Sequence, residues 1–309
     1  MRILFSILLI LNLSFTFAQT PCFQIFDNSE NPVSYSSVLV KNRNMGQYSD
    51  QDGKFCLEWE LSENDIIVFS AVGFQKKEVP LKELLKQKKI YLDQRIENLA
   101  EVIVKPSKRE IMKLGYFRPN VFVKQNSYGP NSIMQIGTFI ENPSKEVNGL
   151  IRQVIVGVDN YEKNAFKSFK LRVRFFENTA NNQPGQLDLI HENILANTDN
   201  NKKEVVFDLK ENAISMPERG IWVTIESLGF YEKDGSFRPN KFGESGRATY
   251  RKTNPQKIKK IDSLAPHLFM IENKTKVLSL LKTFNGTWIP LWNHGKKDMV
   301  PMIGLKVEY

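Results

Sequence analysis

The chain has 309 residues, with 43 Lys and Arg against 34 Asp and Glu, a formal charge of +9 and a hydrophobic fraction of 41%. These proportions fit a folded chain of one or two domains better than an intrinsically disordered one. Two Cys cannot make a cysteine-rich staple framework or a four-cysteine zinc site, and three His are few for a metal centre built from imidazole.

Arg2 precedes a mostly apolar run, Ile3 to Phe17, and Ala18 is a small residue at the cleavage edge. This order predicts a signal peptide over residues 1–18 and export to the periplasm, the outer cell envelope or the medium. The apolar run is about 15 residues, short of the roughly 20 that span a bilayer as a helix. No later run reaches that length, so no helical transmembrane span is expected in the mature chain. Thr20 and Pro21 stand before Cys22 where a lipidation signal carries small residues, which argues against an acylated Cys22.

Residues 19–106 predict a small β-sandwich. Cys22–Phe26 is β-prone and Asp27–Pro32 has turn composition. Val33–Lys41 and Lys54–Trp59 read as strands, separated by the turn Ser49–Gly53. Asp65–Ser70, a shorter strand, a helical turn in Leu81–Lys89, Ile90–Leu92 and Leu99–Val104 follow. Short strands at this spacing argue for a sandwich rather than a βαβ fold. Cys22 alternates with Phe23 and Ile25, and Cys56 lies between Phe55 and Leu57. Both Cys therefore point away from the apolar face, and an oxidising compartment permits a disulfide between them. Separate thiols are the alternative.

Pro32–Val40, Gly46–Phe55 and Ile66–Phe74 resemble the carboxypeptidase regulatory-like domain, a transthyretin-like β-sandwich common in envelope proteins of Bacteroidota. The resemblance covers about residues 20–106, with Phe23 where Gly is common and an added Cys pair. Leu99–Val104 is similar to the tail of such domains where they precede TonB-dependent transporters. The resemblance implies no activity, because this domain accompanies carboxypeptidases without containing their zinc site. His191, His267 and His294 lie in separate contexts, and neither H-E-x-x-H nor H-x-x-E occurs. No metal site and no cofactor are expected.

Residues 107–130 read as a basic linker punctuated by Pro119 and Pro130. An exported chain makes nucleic acid an improbable partner for that charge. Gly115–Phe122 recurs as Gly235–Phe242 with six of eight positions identical, without flanking similarity that would make a solenoid period.

Residues 131–309 predict a larger, jelly-roll-like two-sheet sandwich, and resemble an uncharacterised all-β companion of the regulatory-like domain. Its strands are expected at Gln135–Ile140, Ile151–Val158, Phe169–Phe176, Glu204–Leu209, Gly220–Glu226, Leu268–Glu272 and Met302–Tyr309. Phe169, Leu171, Val173 and Phe175 share one face; Lys170, Arg172 and Arg174 share the other, which reads as solvated.

Catalytic patterns are weak. Ser49, Asp50 and Asp52 lack the remaining ligands of a calcium loop. Gly243–Gly246 lacks the spacing of a nucleophile elbow. Trp288, Trp292, Asn293 and His294 form an aromatic cluster with polar neighbours. It suits capping of the core, and alternatively stacking on a sugar ring or a protein surface. Pro290 between the Trp residues argues for an edge strand or loop. The expected role is a non-catalytic structural or binding protein of the cell envelope with a glycan or protein partner. The alternatives are an envelope glycan or peptide hydrolase with an unrecognised carboxylate site, and an accessory factor of a TonB-linked surface system. The intact mass of exported protein is expected to match a chain beginning near Gln19, with no acyl mass on Cys22.

Overall fold

The computed structural model describes residues 20–95, 110–117, 126–128, 135–144, 149–159, 166–199, 201–212, 214–242, 266–272, 278–283, 286–291 and 299–309. The expected signal peptide and Leu99–Val104 lie outside these residues.

The first unit contains β1 (Cys22–Asp27), β2 (Ser37–Val40), β3 (Gly46–Tyr48), β4 (Lys54–Cys56), β5 (Ile66–Ser70) and β6 (Lys77–Pro80). A single helical turn, α1 (Leu81–Leu84), and β7 (Lys89–Leu92) complete it. β4, β1 and β7 form one sheet, with β1 and β7 parallel. β3, β2, β5 and β6 lie side by side in another. Phe23, Ile25, Phe55, Ile67, Phe69 and Leu92 fill the apolar layer of this unit. Gly53 closes the turn before β4 with φ 72°, and a Cβ there would lie 2.6 Å from the Ile25 carbonyl oxygen.

Phe23 and Phe55 are direct cross-strand partners, and their rings stack at 5.4 Å inside the unit. One residue along, Cys22 and Cys56 are also directly opposite, on the outer face, and form a disulfide. The alternation expected from sequence produces this pairing once the register places the two Cys together.

The second unit begins with β8 (Ile111–Gly115), β9 (Asn126–Tyr128), β10 (Gln135–Ile140), β11 (Leu150–Asp159) and β12 (Ser168–Asn178). It continues with β13 (Pro184–Asp188), β14 (Ile194–Asn197), β15 (Glu204–Asp208), β16 (Ile221–Tyr231), β17 (Phe237–Pro239) and β18 (Lys241–Phe242). β19 (His267–Glu272), β20 (Ser279–Lys282), β21 (Trp288–Pro290), β22 (Met299–Pro301) and β23 (Ile303–Glu308) follow. One sheet runs β13-β12-β16-β10-β20-β21, with β14 also on β12 and β17 also on β16. The other runs β22-β19-β11-β23-β8, with β15 also on β11 and β9 also on β19. Ile136, Leu171, Val173, Phe175, Val223 and Ile225 from the first sheet meet Val154, Val156, Phe207, Leu268, Ile303 and Leu305 from the second in one buried cluster. The β-rich reading of this region therefore holds at the level of a sandwich-like pair of sheets.

Part of the segment expected to be a basic linker is strand. β8 pairs with β23 through five residue pairs, and β9 pairs with β19. Ile111, Met112 and Lys113 are all exposed on this edge and only Leu114 turns toward the core, so no clean alternation marks β8 in the sequence. The two units also share a sheet. β18 pairs with β3, Lys241 opposite Gln47 and Phe242 opposite Gly46. This is the second copy of the Gly-x-Phe-Arg-Pro-Asn repeat; the first copy lies partly outside the described residues.

The disulfide spans 34 positions of sequence. The double variant Cys22→Ser, Cys56→Ser is expected to lose about 3–4 kcal/mol of stability by the loop-entropy argument, measured by denaturant unfolding under oxidising conditions. Reduction of the parent protein should reproduce that loss.

Candidate functional site

β12 sends Leu171, Val173 and Phe175 into the core of the second unit. Its other face, expected to be solvated, is not. Arg172 is 2% exposed. The first unit covers this face: Tyr35 and Tyr48 pack with Leu228 of β16, and the Arg172 guanidinium lies 5.6 Å from the Tyr48 ring centroid. Arg172 donates from Nη1 to the Tyr35 carbonyl at 3.0 Å and to Asn193 Oδ1 at 2.9 Å. The sequence shows the basic stripe but not the surface that closes over it.

The register aligns these side chains into a row across the sheet. Arg172 stands opposite Glu226, Glu226 opposite Gln135, Gln135 opposite Lys282, and Lys282 opposite Trp288. Glu226 accepts from Arg172 Nε at 2.6 Å on one oxygen. Its other oxygen accepts from Gln135 Nε2 at 2.6 Å and Arg174 Nη1 at 3.3 Å. Arg174 turns its Nε toward both oxygens of Asp188, at 3.0 and 3.1 Å, and its Nη2 also pairs with that carboxylate. Arg95 of the first unit donates to the Asp188 carbonyl at 2.8 Å.

Burial would by itself raise the Glu226 pKa, but the Arg172 and Arg174 charges outweigh it and hold the carboxyl at about 2. Burial likewise pushes the Tyr48 phenol well above its ordinary value. Lys282, at the outer end of the row, is pulled down to about 8 by burial first and by the Arg174 charge second, against the opposing pull of Glu226 and Asp188. Its ammonium lies 5.5 Å from the Phe176 ring centroid and 5.3 Å from that of Trp288.

Chemically, this centre is closed. Each of the two carboxylates is held by guanidinium, leaving neither available as a general base toward a substrate. Among the described residues, no group of three His, Cys, Asp or Glu is placed to hold a metal ion. A zinc carboxypeptidase centre is thus absent from the described residues.

Of the residues singled out in the sequence, Trp288 lies in the edge strand β21, half-buried, with its ring 5.9 Å from Phe176 in an edge-on contact. Trp292, Asn293 and His294 lie outside the described residues. Sequence reasoning missed Arg172, Arg174, Asp188, Glu226 and Lys282 as a group. One signal was present: Glu226 is the one charged residue in the Ile221–Phe230 stretch.

Residues 24–104 match the CarboxypepD_reg-like domain family, about a quarter of the chain. Searches of curated proteins and of solved structures find no significant match.

The Glu226 carboxyl titrates near 2 in the folded chain against an ordinary 4.5. Its contribution to stability is therefore complete above about pH 5 and is lost as pH falls toward 2. Glu226→Gln should flatten that acid limb in unfolding measured from pH 2 to 7. At pH 7 it should cost about 3–5 kcal/mol, because two buried guanidiniums are left with one carboxylate.

Proposed function

We propose that this chain is a non-catalytic structural or binding protein of the cell envelope, exported by residues 1–18. Its two units are read as a transthyretin-like sandwich and a larger jelly-roll-like one, divided along the chain between residues 106 and 131. The observation that carries the proposal is the self-neutralised cluster of Arg172, Glu226, Arg174 and Asp188 on the face of the second unit that the first unit covers. Charges that could have served chemistry instead neutralise one another within the second unit, and the junction with the first unit is made through the Tyr35 carbonyl and Arg95. What remains for a partner is the outer surface, above all the sheet edge at Trp288. The glycan-or-protein ligand expected from the Trp288, Trp292, Asn293 and His294 segment is consistent with that edge position. The similarity of Leu99–Val104 to segments preceding TonB-dependent transporters supports a narrower reading, an accessory factor of a TonB-linked surface system.

The experiment is incubation of purified protein with isolated envelope polysaccharide, peptidoglycan and envelope proteins. Retention on at least one of these fractions is expected, without release of reducing ends or free amines. Turnover of any of them by the purified protein would overturn the non-catalytic reading in favour of a hydrolase.

A further inference from the structure

Lys282 stands apart from the rest of the charge row. Arg172 and Arg174 each have a carboxylate in direct contact. Among the described residues, the Lys282 ammonium meets no hydrogen-bond acceptor and no ion-pair partner; its close neighbours are the rings of Phe176 and Trp288. The charged groups within its electrostatic reach are Arg174 from β12, Asp188 from β13 and Glu226 from β16. Those two acids are already engaged by guanidinium. From the adjacent β10 it faces neutral Gln135, and from β21 neutral Trp288. Both Lys282 and Trp288 are half-buried, and among the described residues β21 is the last strand of its sheet, with Ile289 and Pro290 exposed beside them. A row of alternating charge and polarity, Arg172, Glu226, Gln135, Lys282, thus ends at the sheet edge on a cation with no acid in contact among the described residues.

We propose that Lys282 and Trp288 together bind a carboxylate-bearing saccharide, with a sugar ring stacked on the indole and the carboxylate taken by the ammonium. The inference rests on the binding reading above and names its ligand class. The ammonium supplies charge-assisted hydrogen bonds that a neutral sugar cannot use, and the indole supplies an apolar ring face. A carboxylate matches the single charge of Lys282. A phosphate, carrying about −1.5 to −2, would bring uncompensated negative charge toward Glu226 and Asp188.

This site carries a pH signature. Lys282 of the free protein loses its proton near 8, against an ordinary lysine value of 10.5. Affinity through this ammonium should fall between pH 7 and 9, whereas attraction of an anion to ordinary surface lysines persists across that range.

The test is calorimetric titration of the full mature chain with trigalacturonate, 3′-sialyllactose and muramic acid as probes. Galactotriose serves as the neutral control and succinate as the non-sugar acid. At least one acidic sugar should bind, at least tenfold more tightly than either control, and weaken between pH 7 and 9. Lys282→Met and Trp288→Ala, each first checked for a parental thermal transition, should each lose at least tenfold. Lys282→Arg should retain binding at pH 7 and abolish the pH dependence. If Trp288→Ala proves unstable, Lys282→Met and Lys282→Arg decide the matter. Failure of all three acidic sugars, equal binding of galactotriose or succinate, or unchanged binding by Lys282→Met would each overturn the proposal. If the acidic sugars fail while envelope material still retains the protein, this inference falls and the binding reading stands. Loss of both removes both.

Discussion

A guanidinium buried between two sandwiches governs how this protein is put together. Arg172 leaves water only because Glu226, Asn193 and the Tyr35 carbonyl receive its protons. Removing an ion pair from water costs several kcal/mol per ion, recovered only where geometry and hydrogen bonding are complete. The partners of Arg172 come from both units, so the second unit cannot satisfy this cation alone. The apolar side of β12 builds a core in the ordinary way, while its polar side specifies what must dock there. A displaced first unit would leave Arg172 without the Tyr35 carbonyl and would uncover the ring of Tyr48.

Backbone pairing reinforces the side-chain junction. Asn240 lies between β17 and β18 and is fully buried; its carbonyl accepts from the Tyr48 amide at 3.1 Å, and its side chain donates to the Ser227 carbonyl at 2.9 Å. At another point of contact, a Cβ on Gly73 would fall 2.1 Å from the His191 carbonyl oxygen, so glycine permits the two backbones to meet. Charge, strand pairing and close backbone approach thus fall on the same junction.

The sequence made individual strands legible more readily than their partners. The Phe169–Phe175 alternation appears because a two-residue period is local information, and Gln135–Ile140 reads as a strand from its own residues. Cys22 and Cys56 could be placed on outer faces for the same reason, although only the register puts them opposite one another. The buried charge row was not legible as a site, since Arg172, Glu226, Gln135 and Lys282 come from strands far apart in the chain. Reading Arg172 as solvated follows from its residue type, and the covering unit reverses that inference. Trp288 was visible as a ligand candidate, but its lysine neighbour arises from the β20–β21 pairing. The short strands β8, β9 and β18 escaped because pairing with distant partners, rather than a strong local pattern, sustains them.

The position of β23 ties the second sheet together through contacts of long sequence separation. Ile303–Glu308 does not lie at the rim; it sits between β11 and β8, and its Ile303, Leu305 and Val307 are fully buried. β8 joins the described sheet through β23, and β23 is also one of the strands paired with β11. Completing this part of the sheet therefore brings Leu150 opposite Glu308 and Gly115 opposite Gly304, partners far apart in the chain. Contacts of such long sequence separation form late and slowly. The apolar filling of the second sheet thus depends on a strand whose neighbours are distant in the chain, a topology of high contact order that sets a slow folding rate.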